Sequence, residues 1–492
     1  MNTNATTDSL TSSGDTAAPL QSLSNRQFWL TAIALALMAA IAEIQQLMVI
    51  PMLGLISTEL EISASAVSWV LLSTLLVSAV TIGPLSKMAD RYGPKPVYFW
   101  TMSAILLGNA LCAIAIMQTS PTLMLVGRGL IGINVATPLG VAVLRKSCDA
   151  KQMKQGMGIV TLGLGIGVAP SFLLSGALLD AGVSLANVFW VATALAAIVV
   201  LLTLLLANSD KVPGIAVPLR SAFILGAWVL PALLAISKGN DWGWYSPLTV
   251  GLLVFAAAVL AYWIRNENRS ESPLIAPHLL RGDAVIGYFC ASCIGLMAYG
   301  YYITASTFVQ VPPEVGYGFG ASVIEAGLVL VPSAIVIVIL GPVAGTLLHL
   351  WGPRTVLLLG ASILTAQFTA MTFVKSELWQ MYVYAGWFGV GVALFMPAGW
   401  AVFAKQARPQ EIGIAGGMMQ IFGQLMGALA SAAGVVFLTH ETTPGTPLSV
   451  EGGFSGMFAF LAIVLALALI AAIFLKESGR EDPMAGKSSL PS

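Results

Sequence analysis

The stretch Ser86-Lys87-Met88-Ala89-Asp90-Arg91-Tyr92-Gly93-Pro94-Lys95 gathers Lys87, Asp90, Arg91 and Lys95 into a short polar turn between two long apolar runs. The turn has a second copy. Shifted by 259 residues, the distance from Gly93 to Gly352, Tyr92-Gly93-Pro94-Lys95 lies on Trp351-Gly352-Pro353-Arg354. The same offset places Gly127 on Gly386, Gly132 on Gly391, Pro138 on Pro397 and Gly140 on Gly399. One register shared by two separated places predicts an internal duplication, with the fourth apolar span repeated as the twelfth without a gap. Not everything is repeated: the second copy keeps Gly345, Leu347, Gly352 and Arg354 but carries His349 and Leu350 where Asp90 and Arg91 stand in the first.

The runs around these turns set the class of protein. Of 492 residues, 57% are hydrophobic and 9% charged, whereas soluble domains carry about 25% charged residues. A soluble fold has no way to hide so much apolar surface. A membrane-crossing helix needs about 20 mostly apolar residues. Such runs occur near 29–50, 66–86, 97–117, 122–144, 157–179 and 187–207, then 219–236 and 247–264, then 284–308, 322–348, 355–374, 378–402, 413–438 and 454–475. The expectation is an all-α membrane protein of fourteen transmembrane helices: two parallel six-helix halves with two helices inserted between them. In domain terms, 1–28 is a disordered tail, 29–207 the first half, 208–283 the inserted pair with its linker, 284–475 the second half and 476–492 a closing tail.

Orientation follows from Lys and Arg, which cytoplasmic loops retain. With the amino terminus inside, the inner segments hold Arg26; Lys87, Arg91 and Lys95; Arg145, Lys146, Lys151 and Lys154; Lys211 and Arg220; Arg265, Arg269 and Arg281; Arg354; Lys405 and Arg408; and Lys476, Arg480 and Lys487. Only Lys238 and Lys375 fall outside, and Arg128 lies within a span. Both termini are therefore expected in the cytoplasm, the protein being multi-pass in a bacterial inner membrane. With 22 basic and 22 acidic residues, no global field points to nucleic acid. Membrane lipid is the expected surrounding. Cys112, Cys148, Cys290 and Cys293 read as buried, reduced helix residues, because the CxxC of the last two has no second pair to complete a metal set.

The 86–95 turn resembles the major facilitator signature G-x-L-A-D-R-x-G-x-K, with Ser86 and Met88 in place of its first Gly and its Leu. The D-R-x-G core is intact. In that reading Asp90, Arg91, Gly93 and Lys95 form a conformational latch, since a carboxylate in a short turn can face a helix amino terminus and neighbouring cations in one state and lose them in another. The resemblance extends to the fourteen-helix drug:proton antiporters through Trp242-Gly243-Trp244-Tyr245-Ser246-Pro247 and through Glu267-Asn268-Arg269-Ser270-Glu271-Ser272-Pro273-Leu274, similar to an outer turn and an inner loop of that family. The antiporter motif G-P-x-x-G-G is reduced at Ser171-Phe172-Leu173-Leu174-Ser175-Gly176 to its last Gly. Gly163, Gly165, Gly167 and Gly176 read as sites of close helix packing, not as a nucleotide loop, because no strand precedes them.

A charge at mid-span costs about 2.5 to 3.5 kcal/mol on insertion scales, so each one needs a reason. Glu43 lies eight residues before Pro51 and Arg128 six after Thr122, roughly 12 Å and 9 Å from the outer surface at about 1.5 Å per residue. Their shared depth predicts that they face each other. Gly127-Arg128-Gly129 resembles the family's fourth-helix R-G motif, whose Arg is implicated in proton coupling, while the first-helix acid stands one place away from the family's position. Gln45, Gln46, Gln420 and Gln424 complete the candidate proton-coupling or substrate-binding set, with cavity lining and interhelical bonding both open for the amides. Tyr299, Tyr301 and Tyr302 are placed to stack on a substrate or to pack. Ser322-Val323-Ile324-Glu325 fits a helix capping box.

The expected function is secondary active transport: proton-coupled efflux of drugs or other small amphipathic compounds, the partners being a small-molecule substrate and the proton. The alternative on the same fold is an exporter or importer of a metabolite or siderophore. A polytopic membrane enzyme is the remote alternative. His278, His349 and His440 lie near span ends or in loops, and no H-E-x-x-H, G-x-S-x-G or G-x-x-x-x-G-K-[ST] motif is present, so no metal, no other cofactor and no ATP drive within the chain are expected.

Overall fold

The computed structural model describes residues 24–206, 217–270, 273–275, 282–404, 412–440 and 449–475. The segment before Ser24, the tail from Lys476, and Lys211, Arg281, Lys405 and Arg408 lie outside the described residues. The described chain is helical: α1 (Asn25–Leu47), α2 (Leu53–Glu59), α3 (Ala64–Tyr92), α4 (Pro94–Met117), α5 (Pro121–Ile131), α6 (Ala136–Ser147), α7 (Ala150–Asp180), α8 (Leu185–Leu202), α9 (Leu219–Trp242), α10 (Pro247–Glu267), α11 (Asp283–Gln310), α12 (Val323–Phe373), α13 (Leu378–Ala404), α14 (Ile412–Thr439) and α15 (Glu451–Ile473). Among the described residues, 12 helices are long and apolar enough to cross a membrane.

Local chemistry explains many of the boundaries. Ser24, Ser63, Ser120, Ser184 and Ser246 cap the starts of α1, α3, α5, α8 and α10, each accepting a backbone N–H of the first turn, as short polar side chains do for unpaired donors there. At α12 the capping box of Ser322 and Glu325 is complete. That bond pattern accounts for the carboxylate of Glu325 structurally.

Three of the expected spans differ from the sequence expectation. The fourth, expected unbroken over 122–144, is interrupted between α5 and α6 at residues 132–135. Pro138 offers no N–H to the carbonyl four residues back, but neither does its counterpart Pro397 within the unbroken α13; what the first copy adds is Asn134, whose side chain accepts the N–H of Ala136 at 3.1 Å and starts a new helix. The spans expected at 322–348 and 355–374 run on as α12, 51 residues in length, with Gly352 non-helical inside it at φ +80° and ψ 160°.

Gly352 has a partner in the first half. Gly93, at φ +90° and ψ 148°, joins α3 to α4 in the same backbone conformation, one that a side chain disfavours. A proline follows each, at the first helical position where no donor is lost. The basic residue one step further makes the same contact in both copies: Lys95 Nζ donates to the carbonyl of Leu204 at 3.1 Å, and Arg354 Nη2 to that of Ile473 at 2.7 Å. Each neutralises the carbonyl end of the sixth helix of its half.

Packing repeats the same relation. In the first half α1 packs on α7 and α4 on α8; in the second α11 packs on α14 and α12 on α15. Across the halves α3 meets α14 and α7 meets α12. The inserted pair packs α9 against α10, and α9 also lies on both α3 and α14, the two sides of one seam.

Candidate functional site

Arg128 is fully buried on α5. Its Nε donates to the carbonyl of Val70 on α3 at 3.0 Å, Nη1 to Gln45 at 3.2 Å and Nη2 to Gln46 at 3.3 Å. α1 ends at Leu47, so the carbonyls of its last turn lack helical partners, and the guanidinium fork supplies them. A cation at a helix carboxyl end is also favoured by the helix dipole. Thr74 Oγ1 donates to the carbonyl of Arg128 at 3.0 Å, binding α3 to α5 once more.

The expected pairing of Glu43 with Arg128 is not formed. The guanidinium turns instead to the main chain of α1, at the carbonyls of Gln45 and Gln46. Glu43 is half-buried and stands within electrostatic reach of Tyr299 and Tyr302 on α11. The arginine is built into the first half, while Glu43 lies about one turn before Gln46, whose amide reaches the second.

The neighbouring amides divide between these roles. Gln45 is buried and accepts the Asn109 amide of α4 at 2.9 Å, inside the first half. Gln46 donates to the Tyr299 hydroxyl of α11 and accepts from Asn134 at 3.3 Å, so it ties α1 both to the break in the fourth span and to the other half. On α14, Gln420 and Gln424 each bury an amide oxygen that has no hydrogen-bond partner among the described residues, two acceptors one helical turn apart. Asn109 and Asn134 were not singled out from the sequence. Each is an amide within or beside an apolar run, and that contrast is the signal that marks them.

The tyrosines separate likewise. Tyr301 is fully buried and stacks on Phe388 of α13 at 4.5 Å between ring centres, a packing position within the second half. Tyr302 meets Phe172 of α7 edge-on at 4.9 Å, across the halves. Tyr299, bonded to Gln46, lies between.

The glycines of α7 sit against neighbouring helices. A Cβ on Gly163 would come 2.7 Å from Ala36 Cα and one on Gly167 2.8 Å from Ala40 Cα, both on α1; one on Gly165 would meet Val338 at 3.1 Å and one on Gly176 the backbone of Ile324 at 2.6 Å, both on α12. In the 86–95 turn, the Arg91 guanidinium lies 5.1 Å from the ring centre of Tyr92 and Lys95 takes the Leu204 carbonyl. Asp90 is engaged with a partner of its own. The four cysteines are free and buried.

The Major Facilitator Superfamily profile matches this sequence over residues 35–431 and 288–490. The chain belongs to that superfamily. This transporter is therefore a multi-pass integral membrane protein that carries small molecules as a secondary transporter, and not an enzyme. It is 24% identical over 432 residues to the tetracenomycin C resistance and export protein of Streptomyces glaucescens, covering 85% of this chain and 77% of that protein. It is 23% identical over 411 residues to the quinolone resistance protein NorB of Staphylococcus aureus, covering 81% and 86%. Among solved structures, the human organic anion transporter MFSD10 superposes with a TM-score of 0.59 at 15% identity, covering 92% of this chain and all of that one. The partially occluded, inward-open xylose transporter XylE of E. coli superposes at 0.59 and 11% identity, covering 92% and 99%. At such identity these structures share the transporter's fold.

Proposed function

We propose that this transporter is a proton-coupled exporter of drugs or other small amphipathic compounds in a bacterial inner membrane. The observation that carries the reading is the place of Glu43: a half-buried carboxylate on α1, three residues before Gln46, whose amide bonds Tyr299 of the opposite half. An ionisable group inside a membrane is expensive unless it works. At a seam that must open and close, proton and substrate compete for it. The distant relatives named for tetracenomycin C export and quinolone resistance support efflux as the direction.

In this proposal Gln46, Gln420 and Gln424 line the path, the last two offering acceptors to a donor-bearing substrate. Arg128 and Gln45 hold the end of α1 in position, and Asp90, Arg91, Gly93 and Lys95 form the latch of the first half. The chain crosses the membrane fourteen times with both termini in the cytoplasm. Two features support that number: α12 has 51 residues, about 76 Å at about 1.5 Å per residue against a hydrocarbon core about 30 Å thick, so it makes two passes about Gly352, and α5 with α6 makes one interrupted pass.

Reconstituted protein tests the reading. In proteoliposomes bearing an imposed proton gradient, an amphipathic dye such as ethidium should accumulate in the direction opposite to proton flow, and Glu43→Gln should lower accumulation at least tenfold. Transport of dye unaffected by collapse of the gradient, with Glu43→Gln still active, would overturn it. Accumulation of a metabolite or siderophore in place of any dye would move the protein to the alternative substrate class.

A further inference from the structure

The inserted pair takes no part in the site described above, yet α9 rests on both sides of the seam between α3 and α14. Its last turn makes two different attachments. Toward the first half, Lys238 Nζ donates to Ser65 Oγ and to Asp241 Oδ2, each at 2.9 Å, and Ser65 Oγ donates to Asp241 at 2.9 Å. Ser65 is buried in the first turn of α3. Toward the second half, Asn240 Nδ2 donates to the Val436 carbonyl at 2.8 Å and to Thr439 Oγ1 at 3.1 Å, at the carboxyl end of α14.

The aromatic turn after α9 directs the second attachment. Trp244 Nε1 donates to Asn240 Oδ1 at 2.9 Å. An indole nitrogen only donates, so it fixes which end of the Asn240 amide is oxygen and aims the NH2 group at α14. Trp244 thus has a structural task at the end of α9.

The two attachments are unequal. The α3 side is one serine hydroxyl held between an ammonium and a carboxylate of α9, and hydrogen bonds to ionised groups are about twice as strong as neutral ones. The α14 side is one neutral amide, and a cleft of about 480 Å³ opens beside it, lined among others by Asn240, Trp244, Phe437, His440 and Gly453. When α3 and α14 part at this end, α9 stays with one and leaves the other. We propose that α9 travels with the first half, and that Asn240 is the contact that releases from α14 when the halves part there.

The proposal rests on the transport reading above, and cross-linking separates the two. In a background with Cys112, Cys148, Cys290 and Cys293 replaced by Ala, Asn240→Cys with Thr439→Cys joins α9 to α14, and Ser65→Cys with Asp241→Cys joins α9 to α3. A short bis-methanethiosulfonate linker is applied in proteoliposomes. The α9–α14 link is expected to lower dye transport at least tenfold, with recovery on adding reductant, whereas the α9–α3 link changes it less than twofold. Normal transport with the α9–α14 link, or equal arrest by both links, overturns the proposal. Unlinked protein that carries no dye speaks against the transport reading instead, and a second measurement then decides. Spin labels on Glu61→Cys and His440→Cys report the separation of the α3 and α14 ends, and Asn240→Ala should enlarge the long-distance population several-fold. An unchanged distance distribution overturns the release role.

Discussion

Arg128 donates to the main-chain carbonyl of Gln45, at 3.2 Å, and not to the carboxylate of Glu43 two residues earlier on the same helix. The guanidinium thus closes the end of α1 and holds it to α3. Removing it strands buried carbonyls, each at a cost of about 1–3 kcal/mol. Arg128→Ala is therefore expected to lower stability by about 3 kcal/mol or more, read as loss of membrane abundance and a lower thermal midpoint in detergent. Arg128→Lys should recover only part, because one ammonium does not match three spread carbonyls as the planar fork does. A fully stable Arg128→Ala would show that the contacts are not structural.

Independence of the two charges is itself testable. Residues that share no contact contribute additively, and those in one network do not. Glu43→Gln should cost gradient-driven accumulation at least tenfold while sparing some downhill flux. Added to Arg128→Lys, its effect on transport, normalised to protein present, should multiply. A double variant no worse than Glu43→Gln would return the two residues to one coupled device.

The bond from Gln46 to Tyr299 joins the halves directly. Tyr299→Phe keeps the ring and removes the hydroxyl, a net loss of about 1 kcal/mol, which is about a fivefold change in a conformational equilibrium. The expected sign is toward the state with the halves apart at this depth, measured as faster alkylation of a single cysteine at Gln420. An unchanged rate would leave the bond without influence on the seam.

Gly93 and Gly352 hold positive φ of 90° and 80°. Alanine at either position is expected to cost about 1–3 kcal/mol, the penalty of a Cβ in an extended positive-φ conformation that essentially only glycine adopts, and the two losses should be alike because the two junctions are built alike. Thermal unfolding of each variant in detergent checks this. A neutral Gly352→Ala would mean that α12 straightens through the junction.

Topology is checked by labelling. Single cysteines near Ser376 should react with an impermeant maleimide from outside, and those near Met153 and Gln406 only after permeabilisation. The reverse pattern would invert the orientation derived from the Lys and Arg distribution.

By itself the sequence determined what depends on local pattern. Long apolar runs mark helices because the hydrocarbon core offers no partner for backbone polar groups, which must be satisfied within the segment. The 259-residue offset carried the duplication, and it reappears in matching backbone at Gly93 and Gly352 and in matching contacts of Lys95 and Arg354. That Glu43 and Arg128 stand inside apolar runs was also legible. Their pairing was not. Which acceptor a buried guanidinium takes depends on the rotation of α1 and on where that helix ends relative to α5, and spacing along one chain does not record the relative rotation of two helices. For the same reason only the tertiary structure decided that Asn109 and Asn134 hold Gln45 and Gln46, that the fourth span breaks where its repeat in α13 does not, and that the end of α9 grips α3 with charges and α14 with a single amide. Hydrogen bonds between helices are chosen by proximity in space among groups that the sequence leaves equally available.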